Sequence, residues 1–199
     1  MKMILVRHGE TLWNREGRVQ GTSDIALSDM GRLQVKRLAE SLRDDNIKNV
    51  YSSPLNRAYE TASIIVERIS IPIQLESELR EMDQGDFEGV SHRELTAEHK
   101  PFLQQWLKDP ASVKMPNGES LLEVQDRAWK VINNIFRNMD NTLIVSHNFT
   151  LTTIICKING ISLSDFGKIH VGLASKTIIN VLDGEARLEL LNDQSHLGE

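Results

Sequence analysis

An arginine, a histidine and a glycine follow the first apolar segment of the chain directly. Residues 1–6 predict a short buried strand, and Arg7, His8 and Gly9 come next. In open α/β sheets, ligands bind just beyond the carboxyl ends of such strands. An imidazole can act as a nucleophile or a base, Arg7 adds a permanent planar cation, and glycine lets the backbone turn closely around a bound group. These residues therefore predict a local phosphate site.

Three more chemically active side chains stand at predicted strand ends or at the start of a helix. Arg57 lies in the first turn of a predicted helix, Glu81 lies in a loop after the third strand, and His147 follows a buried strand over residues 142–145. Neighbouring strand ends in one sheet converge on one pocket, so we expect these groups to meet His8. Two guanidinium groups can hold a phosphate dianion through forked donors, and a second histidine can add a donor as charge develops.

The first histidine is suited to covalent phosphoryl transfer. A neutral His8 that donates from one ring nitrogen to a nearby carbonyl would present the lone pair of the other nitrogen to phosphorus, and the product would be a phosphohistidine. The leaving alkoxide then needs an acid, for which Glu81 is our candidate. By composition, the acid could be any of four carboxyl groups in the loop: Glu81, Asp83, Asp86 and Glu88.

Each of these residues also has an ordinary structural interpretation. Taken alone, Arg57 is more typical of a surface cation, and His147 after a buried strand is more typical of a core histidine with satisfied hydrogen bonds. The combination of the four positions along the chain reverses that preference. A function for any one of them therefore depends on all of them meeting.

The elements that must position these groups alternate between strand and helix. Predicted strands cover residues 1–6, 49–52, 72–75, 142–145, 177–182 and 186–191. Predicted helices follow Ser28, run from Pro54 to position 69, cover residues 93–107, and run from Ser120 to Met139. In the first of these helices, Leu33, Leu38, Ala39 and Leu42 are expected to form the buried stripe. Asp183 and Gly184 predict a tight hairpin turn, so the fold class is α/β, with a mostly parallel sheet and an antiparallel edge.

The length of 199 residues suits one substantial core, so we expect a single domain over residues 1–199. Its helical segment at about residues 90–118 is expected to form a cap over one side of the site. The chain carries a net charge of −5, which disfavours nucleic acid and anionic membranes as partners. Cys156, the single cysteine, is expected to be a core thiol, and the short first apolar run does not resemble a signal peptide. We therefore expect a cytoplasmic protein.

Four segments in a fixed order resemble a known family. They are Arg7-His8-Gly9-Glu10-Thr11 through Trp13-Asn14; Ser52-Ser53-Pro54-Leu55 with Arg57-Ala58 and Glu60-Thr61-Ala62; Leu79-Arg80-Glu81 with Gly85-Asp86-Phe87-Glu88-Gly89; and Ile144-Val145-Ser146-His147. The chain resembles the histidine phosphatase superfamily, whose fold is the phosphoglycerate mutase-like, three-layer α/β/α sandwich. The resemblance covers nearly the whole length, and the ordered set is far more specific than any one tripeptide.

The resemblance implies a role for each matching residue. His8 corresponds to the phosphorylated nucleophile and Glu81 to the proton donor, while Arg7, Arg57 and His147 correspond to the phosphate pocket. Further substrate contacts are expected from Asn14, Gln20, Gly21 and Asn148. The family works without a metal, so we expect no cofactor and no metal. His92 and His99 lie seven residues apart without a clear third ligand, and we interpret them as solvated helix positions.

The family contains both phosphatases and mutases. Mutases resemble one another in a longer insertion between the acid and the second histidine, whereas only 66 residues separate position 81 from position 147 here. The segment 80–89 is similar to that of broad-specificity phosphatases and α-ribazole phosphatases. We therefore expect metal-independent hydrolysis of small phosphomonoesters, with a small phosphorylated metabolite as partner. The alternatives are a cofactor-dependent phosphoglycerate mutase and a non-catalytic phosphate-ligand binding module. A homodimer is one of the open oligomeric states.

The residues after the second histidine depart from the family pattern. Many members have glycine there, whereas this chain has Asn148 and Phe149. Asparagine tolerates a left-handed backbone, so the turn could survive, and otherwise His147 would be displaced. Phe149 is either a core aromatic or part of the substrate pocket. The same two alternatives, packing or the leaving-group pocket, apply to Trp13, Phe87, Phe102 and Trp106.

Overall fold

Six strands form one sheet at the centre of the structure. The computed structural model describes residues 1–182 and 184–198. The strands are β1 (Lys2–Arg7), β2 (Asn49–Ser52), β3 (Ile73–Leu75), β4 (Thr142–Ser146), β5 (Lys176–Leu182) and β6 (Glu185–Asp193). Their order in the sheet is β3-β2-β4-β1-β5-β6. Strands β1 to β4 pair in parallel, whereas β5 pairs antiparallel with both β1 and β6. The predicted, mostly parallel sheet with an antiparallel edge is confirmed.

The central strands β1 and β4 determine where the two histidines lie. Strand β4 is buried along its whole length, as is typical of parallel strands covered on both faces. The two strands pair in register, with Arg7 opposite Ser146. The amide of His8 donates to the Ser146 carbonyl at 3.1 Å. His8 and His147, each one residue beyond this pair, therefore leave the sheet side by side.

Helices lie on both faces of the sheet and give three layers. They are α1 (Leu12–Glu16), α2 (Asp29–Ser41), α3 (Asn56–Val66), α4 (His92–Glu98), α5 (Lys100–Lys108), α6 (Leu121–Asn138) and α7 (Asn148–Ile158). Along β1, Ile4 and Val6 belong to a buried cluster with α2 and α3, whereas Met3 and Leu5 belong to one with α6 and α7. Successive side chains of a strand point to opposite faces, so these clusters are the two sides of the sheet. The predicted α/β/α sandwich is confirmed.

The buried stripe of α2 differs from the predicted one at one position. The helix begins after Ser28, whose hydroxyl accepts a hydrogen bond from the Gly31 amide, as expected of a cap. Leu33, however, is 44% exposed, and Val35 joins Leu38 in the core instead. Five residues separate positions 33 and 38, and at 3.6 residues per turn this spacing places the two side chains about 140° apart. Assigning Leu33 to the buried face was therefore wrong.

Two elements between β1 and β3 also differ from the predictions. The loop after β1 contains the short helix α1, which starts with a capping box between Thr11 and Asn14. The helix expected from Pro54 to position 69 is shorter, because α3 begins at Asn56 and ends at Val66. Helix α1 is too short for an apolar repeat to show in its sequence. The sequence pattern therefore did not predict it.

The helix predicted over residues 93–107 is two helices. A capping box between Ser91 and Glu94 starts α4, and the chain leaves helical geometry at His99 before α5 begins. Pro101 lies in the first turn of α5. Its ring excludes the carbonyl four residues earlier and it has no amide proton to donate, so one continuous helix cannot form. Apolar residues continue at helical spacing on both sides of Pro101, so their pattern did not predict this break.

The antiparallel edge and the single thiol agree with expectation. Strands β5 and β6 pair directly, and Gly184 between them has φ +82°, while Asp183 of the predicted turn lies outside the described residues. Cys156 is fully buried in α7, as expected for a core thiol. Within the described residues, no helix is long and apolar enough to cross a membrane.

We predict that Gly31→Ala destabilises the protein although alanine is the better helix former. A Cβ at position 31 would overlap the backbone of Glu10, which lies two residues beyond His8. Helix propensity alone favours alanine by about 1 kcal/mol, whereas overpacking against backbone costs about 1–3 kcal/mol. We expect a net loss in the free energy of unfolding, measured by urea titration. Gly167→Ala is the control, because a Cβ there meets no atom within 4 Å. If Gly31→Ala were more stable than the unmodified protein, the close contact between position 31 and the Glu10 backbone would be contradicted.

Candidate active site

The sequence-predicted site residues meet at the carboxyl ends of β1, β2 and β4. The two imidazole rings lie 5.1 Å apart between centroids, at 57° to each other. His8, Arg57, Glu81 and His147 are each less than 5% exposed. Arg7 lines the cavity beside them together with Asn14, Gln20, Glu81 and Asn148. Ionisable groups are rarely buried together unless they act on a ligand or on one another.

The ring of His8 is held in one tautomer. Its Nδ1 lies 2.7 Å from the carbonyl oxygen of Gly9, and a carbonyl can only accept, so Nδ1 carries the proton. The Nε2 lone pair is then available. Burial lowers the pKa of His8 well below its ordinary value, and the positive charges of Arg57 and Arg7 lower it further. The ring is therefore neutral at neutral pH, which is the state that can attack an electrophile.

Arg7 presents donors that the protein itself does not use. Its Nη1 donates to the carbonyl of Val171 at 2.6 Å, but its buried Nε has no hydrogen-bond partner among the described residues. Burial lowers the pKa of Arg7 to about 10, against the opposing effect of Glu81, so the group stays cationic at neutral pH. A buried, unpaired N–H costs free energy that a bound anion would recover.

Arg57 is fixed by the loop that precedes α2. Its guanidinium donates to the carbonyls of Ser23 at 2.8 Å and of Gly21 at 2.7 Å. In the orientation that satisfies both ends of its carboxamide, Gln20 accepts from Arg57 Nε at 2.7 Å and donates to Thr11. Burial lowers the pKa of Arg57 to about 10. Gln20 and Gly21, expected as substrate contacts, thus support this arginine in the structure.

Glu81 receives the first amides of α7. Its Oε1 accepts from the backbone of Met82 at 2.9 Å, of Phe149 at 3.1 Å and of Thr150 at 3.3 Å. Burial nevertheless raises the pKa of Glu81 above its ordinary value, and these amides, Arg57 and Arg7 only oppose that shift. The carboxyl therefore keeps its proton to higher pH than an exposed glutamate and can donate it.

The other acids of the loop have different partners from Glu81. Asp83 accepts from the Gly85 amide, and Asp86 pairs with Asn117 at the surface. The Glu88 carboxylate accepts hydrogen bonds from the amide and the hydroxyl of Thr22, and from the amide and the hydroxyl of Ser23. The carbonyl of Ser23 in turn accepts from Arg57. Glu88 therefore supports the Arg57 loop, and the carboxyl buried beside the histidines is that of Glu81.

His147 is held without a left-handed turn. Its Nε2 lies 2.8 Å from the hydroxyl of Ser53, while its buried Nδ1 has no partner among the described residues. Burial lowers the pKa of His147, and Arg57 adds to that effect. Asn148 is already the first residue of α7. The family's glycine is therefore not needed for backbone geometry here, and His147 is not displaced from His8.

A cavity of about 350 Å³ extends from Arg7 and Glu81 toward α4 and α5. Its far wall is largely aromatic and includes Phe87, Phe102, Trp106 and Phe149. Phe149 also stacks on Phe166 with ring centroids 5.3 Å apart, so it packs in the core and lines the cavity at once. The cavity can hold a small leaving group against aromatic surface.

Trp13, His92 and His99 differ in where they lie relative to this cavity. Trp13 packs under Gly89 rather than along the cavity wall. His92 lies at the cavity rim, whereas His99 is half-buried with its ring edge against Phe87, 5.0 Å between centroids. The interpretation of His99 as a solvated position was therefore wrong.

Sequence reasoning missed several supporting residues. Ser53 lies within a quoted motif but was not assigned its contact with His147. Arg127 donates to the backbone carbonyl of Glu81 at 3.0 Å from helix α6, 46 residues away. No local pattern indicates such a contact, because it depends on how two distant elements pack. The only related signal in the sequence is Ser120, which predicts where the helix that carries Arg127 begins.

Comparison with known proteins identifies the family. The family model for the histidine phosphatase superfamily (branch 1) matches residues 3–194. Phosphoserine phosphatase 1 of Hydrogenobacter thermophilus is 33% identical over all of this chain and 95% of its own length. A probable phosphoglycerate mutase GpmB of Salmonella choleraesuis is 34% identical over 81% of this chain and 76% of its own. The structure of Bacillus stearothermophilus YhfR superposes with a TM-score of 0.92 and 32% identity over 98% of both chains. The chain therefore belongs to branch 1 of the histidine phosphatase superfamily.

Proposed function

We propose that this protein hydrolyses small phosphomonoesters through a phosphohistidine on His8. The observation that carries the proposal is the 2.7 Å contact between His8 Nδ1 and the Gly9 carbonyl, which leaves Nε2 free near the buried Arg57 and the cavity-lining Arg7. The phosphatase named among the relatives supports hydrolysis as the reaction type. The proposal includes no metal and no organic cofactor, because side chains supply the nucleophile, the acid and the anion donors.

In the first step, His8 Nε2 attacks phosphorus and the bond between phosphorus and the ester oxygen breaks. Arg7, Arg57 and the unpaired Nδ1 of His147 hold the equatorial oxygens, where negative charge must be stabilised. The leaving oxygen takes the proton of Glu81, so an alcohol departs rather than an alkoxide. The enzyme then carries a phosphoryl group on His8 and a carboxylate on Glu81.

In the second step, water replaces the alcohol. The Glu81 carboxylate takes one proton from the water. The oxygen of that water attacks phosphorus, and the bond between phosphorus and His8 Nε2 breaks. Inorganic phosphate, neutral His8 and protonated Glu81 result, so the cycle closes without a further reactant. Because burial raises the pKa of Glu81 above its ordinary value, the carboxyl is a weaker acid and its carboxylate a stronger base than in an exposed glutamate.

The leaving-group side of the cavity favours hydrolysis over mutase chemistry. A mutase must hold the carboxylate of a retained intermediate, which requires a free cation. Arg18 is a cation on that side of the cavity, and it already binds Glu16 at 2.7 Å and the carbonyl of Gly89 at 2.8 Å. Water can then accept the phosphoryl group once the alcohol has left.

Phosphorus NMR distinguishes the candidate functions. Metal-depleted protein is mixed with a panel of phosphomonoesters that includes 3-phosphoglycerate and its bisphosphorylated primer. We expect free phosphate from several esters and no 2-phosphoglycerate. Formation of 2-phosphoglycerate would establish a mutase instead, and silence on every ester would favour the non-catalytic binding module.

Replacement of the nucleophile tests the covalent step. We expect His8→Ala to lose at least about 10³-fold in steady-state phosphate release and to carry no acid-labile phosphate after mixing with substrate. His170→Ala, an exposed histidine, is the matched control and should behave as the unmodified protein. Unchanged turnover by His8→Ala would exclude the phosphohistidine.

Replacement of the acid tests proton transfer through leaving-group chemistry. Glu81→Gln should slow alkyl phosphates by about 10²–10⁴-fold but 4-nitrophenyl phosphate far less, because a phenolate leaves without a proton. Asp86→Asn, an exposed acid of the same loop, is the control. Equal losses on both ester types would show that Glu81 is not the acid.

The buried acid also has a signature in protein stability. The folded-state pKa of Glu81 is raised above the ordinary value of 4.5, so folding is penalised once the pH exceeds that value and the unfolded carboxyl ionises. Glu81→Gln cannot ionise and escapes this penalty. We expect the unfolding free energy of the variant, relative to the unmodified protein, to increase from pH 5 to pH 8 in urea titrations. A constant or decreasing difference would contradict the raised pKa.

A further inference from the structure

Side chains from other elements bind the backbone carbonyls of the segment that carries Glu81. The carbonyl of Leu79 accepts from the Ser146 hydroxyl at 2.7 Å, and that of Arg80 accepts from the Thr150 hydroxyl at 2.6 Å. These donors come from β4 and α7. The segment's own backbone bonds run from Leu79 to Glu76 and from Arg80 to Ser77, so beyond this turn the backbone at Glu81 takes the position that the side-chain contacts give it.

Arg127 of α6 holds the same segment through three carbonyls. Its Nη1 donates to Glu78 at 2.6 Å and to Arg80 at 2.8 Å, and its Nη2 donates to Glu81 at 3.0 Å. The planar guanidinium presents its donors in a fixed fork, so these contacts set both the position and the rotation of the backbone. A lysine could not make this set of bonds in one plane.

Glu119 completes the arrangement on the other side of Glu81. Its carboxylate accepts from Arg127 Nε at 2.8 Å and from Nη2 at 3.0 Å, and it also accepts from the Asp83 amide at 2.9 Å. The Glu119 amide donates to the Asp83 carbonyl at 2.9 Å. The side chain of Arg127 is only 11% exposed, so this ion pair is partly shielded from water. Backbone is therefore fixed both before and after the acid.

We propose that Arg127 and Glu119 form a positioning pair that holds Glu81 in the orientation needed for proton transfer to the leaving oxygen. The inference rests on the proposed function of Glu81 as the acid. The side-chain hydrogen bonds of Arg127 go to backbone carbonyls of the Glu81 segment and to Glu119, so the pair acts on the acid through the backbone. A displacement of about 1 Å in a catalytic group can cost about 10²-fold in rate, which makes such support a requirement of the chemistry.

The dependence of kcat on the leaving group distinguishes a role of Arg127 in positioning Glu81 from a role in the stability of the fold. We expect Arg127→Gln to lower kcat for an alkyl phosphate by about 10²-fold with little change in KM, and to lower kcat for 4-nitrophenyl phosphate by less than about 5-fold. Arg137→Gln, an exposed arginine of the same helix, is the matched control and should retain full activity on both esters. Equal losses on both esters would overturn the proposal.

A double-mutant cycle with the acid tests the same point independently. Once Glu81→Gln has removed the proton, loss of its positioning pair has nothing left to impair. We expect Glu81→Gln with Arg127→Gln to hydrolyse the alkyl ester as slowly as Glu81→Gln alone, within about 2-fold, because coupled residues are not additive. A further loss of the full single-mutant size would show that Arg127 acts elsewhere, and the proposal would fail.

A second variant guards against loss of the fold. Glu119→Gln keeps the side-chain shape but weakens the pair, and we expect the same selective loss on alkyl esters. Non-cooperative urea unfolding of both Arg127→Gln and Glu119→Gln would assign the pair to the fold alone and overturn the proposal. Failure of the proposed function looks different, because the unmodified protein would then release no phosphate or Glu81→Gln would slow both ester types equally.

Discussion

The parallel pairing of β1 with β4 is the interaction on which the rest of the site depends. Its register sets Arg7 opposite Ser146, so that His8 and His147 emerge at the same edge of the sheet. A slip of one residue would turn each side chain to the opposite face and separate the rings. The apolar residues on both faces prevent that slip, because it would exchange the contents of the two core clusters.

Burial of ionisable groups around those histidines imposes the second constraint. Two arginines stay cationic and the imidazoles stay neutral, while burial raises the pKa of Glu81 above its ordinary value. Such a set is unfavourable without compensation, and here backbone carbonyls around Arg57 and backbone amides around Glu81 provide it. The local excess of positive charge is what an overall acidic chain needs in order to bind a phosphate dianion.

The sequence was sufficient for the fold where signals are local. Buried runs and turn residues located all six strands, and Ser28 and Ser120 located two helix starts correctly. The apolar spacing predicted the wrong burial for Leu33, which lies off the buried stripe of α2. It also predicted one continuous helix across Pro101, where the structure has two. Predicted strand ends and one helix start brought Arg7, His8, Arg57, Glu81 and His147 together as candidates, and the family resemblance then gave each of them a role. Their supports were beyond reach, since contacts such as that of Arg127 with Glu81 depend on the packing of distant elements.

The full burial of Cys156 has a consequence for how this protein responds to oxidants. Burial raises the pKa of that thiol to about 11, so almost none of it is thiolate at neutral pH, and the thiolate is the form that peroxides and alkylating reagents attack. Phosphatases that use a cysteine nucleophile are switched off by such reagents. With an imidazole as the proposed nucleophile and its single sulfhydryl in the core, this protein would present no reactive thiol to such reagents.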